Sequence, residues 1–397
     1  MKLIKLLTCL FILLVNCSCN RKPSVDELPA FITKQLDLAV EQYRQMSRSL
    51  DGIDSLPRTF DQQTGQLVTC GTEWWTSGFF PGSLWYLYEY SGDSELYHAA
   101  VSKTGLLEKV KNSRSTHDLG FMLYNSYGHA YRLEGKEEYR EILLTGAKSL
   151  ASRYNNVVGC IRSWDHGTWS FPVIIDNMMN LELLFWAANA SGDSTYYRIA
   201  ANHANTTIKN HYRTDYSSYH LVDYDTLTGQ VIWKQNVQGA ADESAWSRGQ
   251  AWGLYGFTMA YRETHDTLYL AQARHIASFI IHHPNMPDDG IPYWDFNAPG
   301  IPDTYRDASA AAIICSALLE LHDYVDSSLA EEYFTMARKI LLTLSAEPYR
   351  AGIGENGNFL LKHSVGSIPG NSEVNVPLAY ADYYYIESLL RMRKLLR

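Results

Sequence analysis

Cysteine is scarce in this chain, and its placement excludes a disulfide-built fold. Beyond the N-terminal segment only Cys70, Cys160 and Cys315 remain, widely spaced, so at most one pair could form. No Cys-x-x-Cys and no His-Glu-x-x-His occurs. No zinc site is therefore announced, and no metal or other cofactor is expected. Glycine-rich phosphate loops are also missing. Positive charge is in deficit, with 34 Lys and Arg against 43 Asp and Glu and a net charge of −9. That balance argues against a nucleic-acid or anionic-membrane partner. Any pocket for an acidic ligand must concentrate its own Arg, Lys or His.

Long apolar runs are absent too, except at the start. Lys2 and Lys5 precede a run from Leu6 to Val15, followed by Cys17, Cys19 and polar residues. The run is too short to span a bilayer and reads as a signal peptide over residues 1–18. A cysteine directly after such a run suggests a lipoprotein. Cys17 follows Leu14-Val15-Asn16, and Cys19 follows the small Ser18; Cys17 is favoured as the anchor, with an ordinary cleaved signal as the plainer alternative. One lipidated cysteine would tether the protein without embedding it. The chain is thus expected to be exported, either periplasmic or held at a membrane as a lipoprotein.

What the chain has in quantity is aromatic residues, with 28 Tyr and 10 Trp. They suit either a large core or a cleft in which sugar rings stack on flat side chains. They also belong to a repeat. An apolar helix, a short polar turn and a second helix recur, the turns being Ser91-Gly92-Asp93, Glu134-Gly135-Lys136, Ser191-Gly192-Asp193, Thr264-His265-Asp266 and Val325-Asp326-Ser327. Gly ends one helix and Asp or Ser starts the next. First helices are expected over 78–90, 118–133, 176–190, 248–263, 307–324 and 380–394. They are apolar nearly all round, hence buried. Second helices near 94–110, 137–154, 194–210, 267–282 and 329–345 are amphipathic, as is 25–50. Six inner and six outer helices make an all-α fold, an (α/α)6 toroid of six helical hairpins, as a single catalytic domain over 25–397. An open solenoid is the alternative. Two long loops interrupt the pattern: 211–247, with a β-hairpin between Tyr219–Asp225 and Val231–Lys234, and the proline-rich 284–306.

Inner helices of such a ring start on one face. Asp118, Asp176, Arg248 and Asp307 open them, which places acid–base chemistry at that mouth. Each aspartate could instead be a helix cap worth about 0.3–1 kcal/mol, and Asp307 fits that role. Asp118, after His117, and Asp176, between Ile174-Ile175 and Asn177-Met178-Met179-Asn180, sit in apolar settings. Burial and a neighbouring carboxylate both raise a carboxyl pKa, so one of the two can stay protonated near neutrality. Trp75, Trp164 and Trp252 fall near the same starts, as sugar-stacking or core residues. Arg248 and Trp252 are four apart on one helix face, an arrangement suited to a sugar carboxylate beside a ring.

These residues resemble a known family. Ala245-Trp246-Ser247-Arg248-Gly249-Gln250-Ala251-Trp252, His117-Asp118-Leu119-Gly120-Phe121, Ile175-Asp176-Asn177-Met178-Met179-Asn180-Leu181 and Trp75-Thr76-Ser77-Gly78-Phe79 closely resemble the motifs of the unsaturated glucuronyl hydrolases, glycoside hydrolase family 88. The resemblance runs from about Trp75 to Glu387. It implies the six-hairpin toroid and a substrate that is a lyase-generated oligosaccharide ending in a 4,5-unsaturated uronate. It implies hydration of the C4=C5 bond rather than attack at the anomeric carbon. By resemblance Asp176 is the general acid and base, and Asp118 the second essential aspartate. His220, Gln238, Arg248 and Trp252 bind the uronate or position water, and Trp75 and Trp164 stack on rings. No metal is implied.

Two departures stand out: Val237 where many relatives have His, and Ala381-Asp382-Tyr383 where Gly-Asp-Tyr is common. Lys362, His363, Ser364 and Ser367 are placed either to contact a sulfate on the neighbouring sugar or in a solvated loop. Three other readings compete. An unsaturated rhamnogalacturonyl hydrolase acting on pectin fragments is disfavoured by the Arg-Gly-Gln-Ala-Trp string. A toroidal glycosidase for neutral glucans and a non-catalytic sugar-binding lipoprotein share the fold-level features alone.

Overall fold

The computed structural model describes residues 23–397, so the stretch read as a signal peptide, with Cys9, Cys17 and Cys19, lies outside the described residues. Six helices form an inner ring: α2 (Phe79–Ser91), α4 (His129–Glu134), α6 (Leu181–Ser191), α8 (Ser247–Thr264), α10 (Ala308–Leu321) and α12 (Ala379–Leu395). Six surround them: α1 (Leu28–Ser49), α3 (Ser94–Gly105), α5 (Glu137–Ala151), α7 (Ser194–His211), α9 (Thr267–His282) and α11 (Ser327–Leu344). Each inner segment packs on the next, and α12 returns to α2, so the ring closes and the open solenoid is excluded.

The division follows from side-chain character. Ala308 to Ala312 are all buried within α10, whereas α1 turns Leu28, Ile32, Leu36, Ala39 and Tyr43 inward and leaves a polar face outside. Both rings share one continuous apolar core. Truncating an inward residue such as Leu36 to Ala would cost about 2–5 kcal/mol. The turns work as their residues require. Gly92, Gly135 and Gly192 adopt left-handed C-cap conformations. Asp93, Asp193, Asp266 and Asp326 then accept from backbone N–H groups of the following helix.

Two inner segments depart from the expected α-helix. The stretch read as one helix over 118–133 begins with a π-helix, Gly120–Gly128, before α4. The stretch 176–190 begins with a 3-10 turn, Ile175–Asn180, before α6. Both non-α segments lie at the candidate aspartates, where widened or tightened turns commonly serve function.

Strands decorate the ring as antiparallel pieces. They are β1 (Leu56–Asp61) with β2 (Gln66–Cys70), β3 (Tyr154–Asn155) with β4 (Cys160–Ile161), and β5 (Pro172–Ile174), β6 (Leu221–Tyr224) and β7 (Val231–Gln235) in one sheet. The last pair is β8 (Ser364–Ser367) with β9 (Ser372–Val376). Of these only β6–β7 was expected. Cys70, Cys160 and Cys315 are buried and unpaired.

The C-terminal halves of the inner helices carry a polar plug. Glu387 accepts from Tyr86 at 2.7 Å, Tyr255 at 3.0 Å and Ser316 at 2.5 Å. Arg391 bridges Glu387 to Glu320, and Arg262 joins Glu320 to Glu182.

Candidate active site

The opposite, N-terminal ends of the inner helices surround a cleft of about 770 Å³. Asp118, Asp176, Gln238, Arg248, Trp75 and Trp164 line it. His220 and Trp252 stand just behind, both buried. The structure thus brings together every candidate residue, although not always in the arrangement anticipated.

The two aspartates are held side by side by a clip between their segments. The side chain of Asn180 accepts from Phe121 N at 2.9 Å. Gly120 lies so close that a Cβ there would stand 2.5 Å from Asn180 Cα. The Leu119-Gly120-Phe121 and Asn177–Asn180 stretches therefore dock backbone to backbone, and the carboxylates just before them face one cleft. Neither is a helix cap. Asp118 accepts from the Thr116 hydroxyl at 2.7 Å and lies 3.4 Å from His117 Nε2. Asp176 Oδ2 has no hydrogen-bond partner within the protein and faces His220 Nε2 at 3.6 Å. The β5–β6 pairing sets that imidazole, since Ile175 N donates to His220 O at 2.9 Å.

Electrostatics separate the roles. Burial pushes the Asp176 carboxyl up to about 7; the Arg248 charge opposes this, the Asp118 charge adds to it, and the Trp252 indole N–H opposes it. Burial, followed by the Arg248 charge, pushes His220 down to about 3. Burial also holds His117 below the ordinary histidine value. Both imidazoles are thus neutral near pH 7, and Asp176 is the group poised to give and take a proton there.

Arg248 is arranged differently from the expectation. Its guanidinium lies over Trp246 at 4.5 Å and Tyr380 at 5.4 Å, not beside Trp252. A helical side chain leans toward the helix N-terminus, which carries Arg248 back over the preceding turn. There it donates to Val365 O, to Gly366 O at 2.6 Å and to Gln238 Oε1 at 3.0 Å, and pairs with Asp307 at 3.4 Å. Arg248 is a fixed positive charge beside the aspartates, with most of its donors committed to protein acceptors. Asp307 caps α10 through Ser309 N, as expected, and also anchors this arginine. Trp252 packs in the core against Phe121 at 5.1 Å and Tyr384 at 5.6 Å, so it cannot stack on a sugar.

At the rim of the cleft Trp75 is tilted on Tyr380 at 4.9 Å, and Trp164 is stacked with His166 at 5.3 Å. Lys362 pairs with Glu347 and Glu355 and is not part of the cleft lining, whereas Ser367 is. Asp382 is a buried clamp, accepting from Leu360 N and Leu361 N, and does not line the cleft either. Val237 does line it. Sequence reasoning missed one wall. Arg58 on β1 lies over Trp74 at 4.1 Å and pairs with Glu373 on β9 at 2.6 Å, and all three line the cleft. The Thr64-Gly65 turn between two alternating stretches was the available signal.

A closed (α/α)6 ring with paired carboxylates, one poised near neutrality, in an aromatic-edged cleft defines a toroidal carbohydrate-active hydrolase. No protein-family model matches the chain, but characterised relatives do. An unsaturated glucuronyl hydrolase of Formosa agariphila is 43% identical over 385 residues, covering 96% of this chain and 95% of its own. An unsaturated chondroitin disaccharide hydrolase of Streptococcus pneumoniae is 32% identical over 93% of this chain and 94% of its own. The crystal structure of an unsaturated glucuronyl hydrolase specific for heparin superposes with a TM-score of 0.90 at 48% identity, over 92% of this chain and 98% of its own. The chain belongs to the unsaturated glucuronyl hydrolase family.

Proposed function

We propose that the cleft removes a terminal 4,5-unsaturated uronate from lyase-generated oligosaccharides, with Asp176 as both acid and base. The observation that carries this is a buried carboxyl with a pKa of about 7 beside a second carboxylate and a neutral imidazole. Protonated Asp176 gives its proton to C4 of the vinyl ether, and positive charge develops at C5 and the ring oxygen. Water adds at C5 and yields its proton to the Asp176 carboxylate. The resulting hemiketal opens, and the glycosidic bond then breaks without direct attack on the anomeric carbon. Asp118 orients the substrate and helps to keep its partner protonated. Arg248 and Gln238 supply the polar side of the uronate pocket. His220 faces the point where water is activated. Trp75 and Trp164 stack on the rings, and Trp252 presents its indole N–H to Asp176.

Relatives named for heparin and for chondroitin disaccharides support a glycosaminoglycan origin for the substrate. The Lys2, Lys5 and Leu6–Val15 pattern supports export, with residues 1–18 as signal and Cys17 or Cys19 as a lipid anchor for the 25–397 catalytic ring. Incubation with unsaturated disaccharides from several glycosaminoglycans and from pectin, followed by the ultraviolet absorbance of the C4=C5 bond, tests the activity. Absorbance should fall with wild type on a glycosaminoglycan disaccharide and persist with Asp176→Asn and Asp118→Asn. No loss on any disaccharide refutes the hydration reading.

A further inference from the structure

One tryptophan is conspicuously wet. Trp233 on β7 is 63% exposed, in a chain whose other large indoles are mostly packed. Its position connects it to the cleft. In the β5–β6–β7 sheet, Ile174, Leu221 and Gln235 stand opposite one another, as do Pro172, Asp223 and Trp233. Residues directly across a ladder share a face, and residues two apart on one strand share it too. Ile174 lines the cleft. Trp233 therefore stands on the cleft face of the sheet, two strand spacings, about 10 Å, outward from the Ile174 strand.

A ledge of flat side chains fills the interval. Trp164 lines the cleft and contacts Trp169 at 5.6 Å. The Trp169 indole N–H donates to Gln235 Oε1 at 2.7 Å, which fixes that ring beside the residue two positions from Trp233. Gly167 lets the Trp169 ring sit down on the backbone, for a Cβ at that position would overlap the ring. The sheet is anchored behind, where Val222, Tyr224, Phe171 and Val173 form their own small core. Ring contact thus leads from Trp164 to Trp169 at the edge of the cleft, and the exposed Trp233 indole stands on the same face of the sheet, two residues from the Gln235 that holds Trp169.

We propose that Trp169 and Trp233 form a distal sugar subsite, stacking a ring of the oligosaccharide beyond the disaccharide whose unsaturated end occupies the cleft. The inference rests on the reading of the cleft as the uronate site. The occupant is a sugar chain because Trp169 touches the aromatic wall of that site through Trp164, and because flat indoles with adjacent amide and indole polar groups suit the mixed apolar and hydroxylated surface of a pyranose. Exposed apolar residues elsewhere on the same hairpin, Leu227 and Ile232, raise a membrane surface as the rival occupant. They are not part of the ledge.

The test compares unsaturated disaccharide and tetrasaccharide from one glycosaminoglycan as substrates for wild type, Trp233→Ala and Trp233→Phe. Absorbance of the C4=C5 bond reports both. Trp233→Ala should lower kcat/KM for the tetrasaccharide about three- to tenfold, the worth of one aromatic contact, chiefly through KM. It should leave the disaccharide unchanged, and Trp233→Phe should recover most of the loss. Equal effects on both lengths, or none on either, overturn the subsite. So does unaltered tetrasaccharide kinetics accompanied by lost sedimentation with phosphatidylglycerol vesicles, which assigns the indole to a membrane surface. Wild-type inactivity on both lengths is a different result: it refutes the uronate-site reading itself.

Discussion

Replacing Asp176 with Asn keeps the shape of the side chain and removes its titration, so stability and activity should move in opposite directions. Burial pushes this carboxyl from the ordinary 3.8 to about 7. The unfolded chain releases the proton near the ordinary value, while the folded chain holds it until about pH 7. Between those values the folded state binds more protons, so stability falls as pH rises through that window and stays low above it. At about 1.4 kcal/mol per pH unit, the ionised carboxylate costs the fold up to about 4 kcal/mol at pH 8. Asparagine carries no such cost. Asp176→Asn should therefore match wild type near pH 4 and exceed it at pH 8, while kcat falls about 10²- to 10⁴-fold with loss of the proton carrier. Urea unfolding of both proteins across that pH range measures the first effect. The ultraviolet assay measures the second, and wild-type kcat/KM should decline on the alkaline side with a midpoint near 7 as the acid form is lost. Equal stability at pH 8, or a gap that fails to close toward pH 4, would show that the carboxyl titrates normally and that this account of the site is wrong.

Asp118→Asn should reduce kcat at least about 100-fold and shift the residual alkaline limb to lower pH, because the Asp118 charge helps to raise Asp176; an unmoved limb would mean that the carboxylates do not sense each other. Gly120→Ala forces a methyl against the Asn180 backbone. It should cost about 1–3 kcal/mol and lower kcat by spreading the two aspartates, whereas unchanged melting and turnover would dismiss the backbone clip. Glu387→Ala removes the shared acceptor of Tyr86, Tyr255 and Ser316. Since Arg391 keeps Glu320, the loss should fall near the low end for a broken buried pair, about 3 kcal/mol, with turnover per folded molecule unchanged; a matching fall in kcat would tie this plug to the cleft.

The ring was legible because its information is local. Each hairpin repeats an apolar helix, a Gly- or Asp-bearing turn and an amphipathic helix, and observed bounds such as Ser247–Thr264 and Thr267–His282 lie within a residue or two of those periodicity indicates. The mouth was legible for a related reason. Once the inner helices are known to run the same way, whatever opens them must converge, and Asp118, Asp176, Arg248 and Asp307 do. What periodicity could not supply was departure from periodicity. The π-helix after Asp118 and the 3-10 turn through Asp176 lie where Gly120 closes on Asn180 and Phe121 N donates to the Asn180 side chain 59 positions away. A local pattern reading sees only an apolar run continuing.

Side-chain direction was the second thing hidden. The spacing of Arg248 and Trp252 is right for a shared helix face, yet spacing ignores what else competes for a guanidinium. The carbonyls of Val365 and Gly366, more than a hundred residues away, draw Arg248 over Trp246 instead and leave Trp252 to the core. The same long-range origin explains the missed wall. Arg58 and Glu373 are separated by 315 positions and become a cleft boundary only after α12 returns to α2. The acid–base pair is thus written in short motifs next to one another in the ring. The wall of the cleft formed by Arg58, Trp74, Ser367 and Glu373 is written in segments far apart in sequence that meet only on closure. It follows that relatives can share the chemistry of Asp176 and Asp118 while differing in substrate. The disaccharide preference of this chain should change with substitutions in the two rim hairpins, not with substitutions along the inner helices.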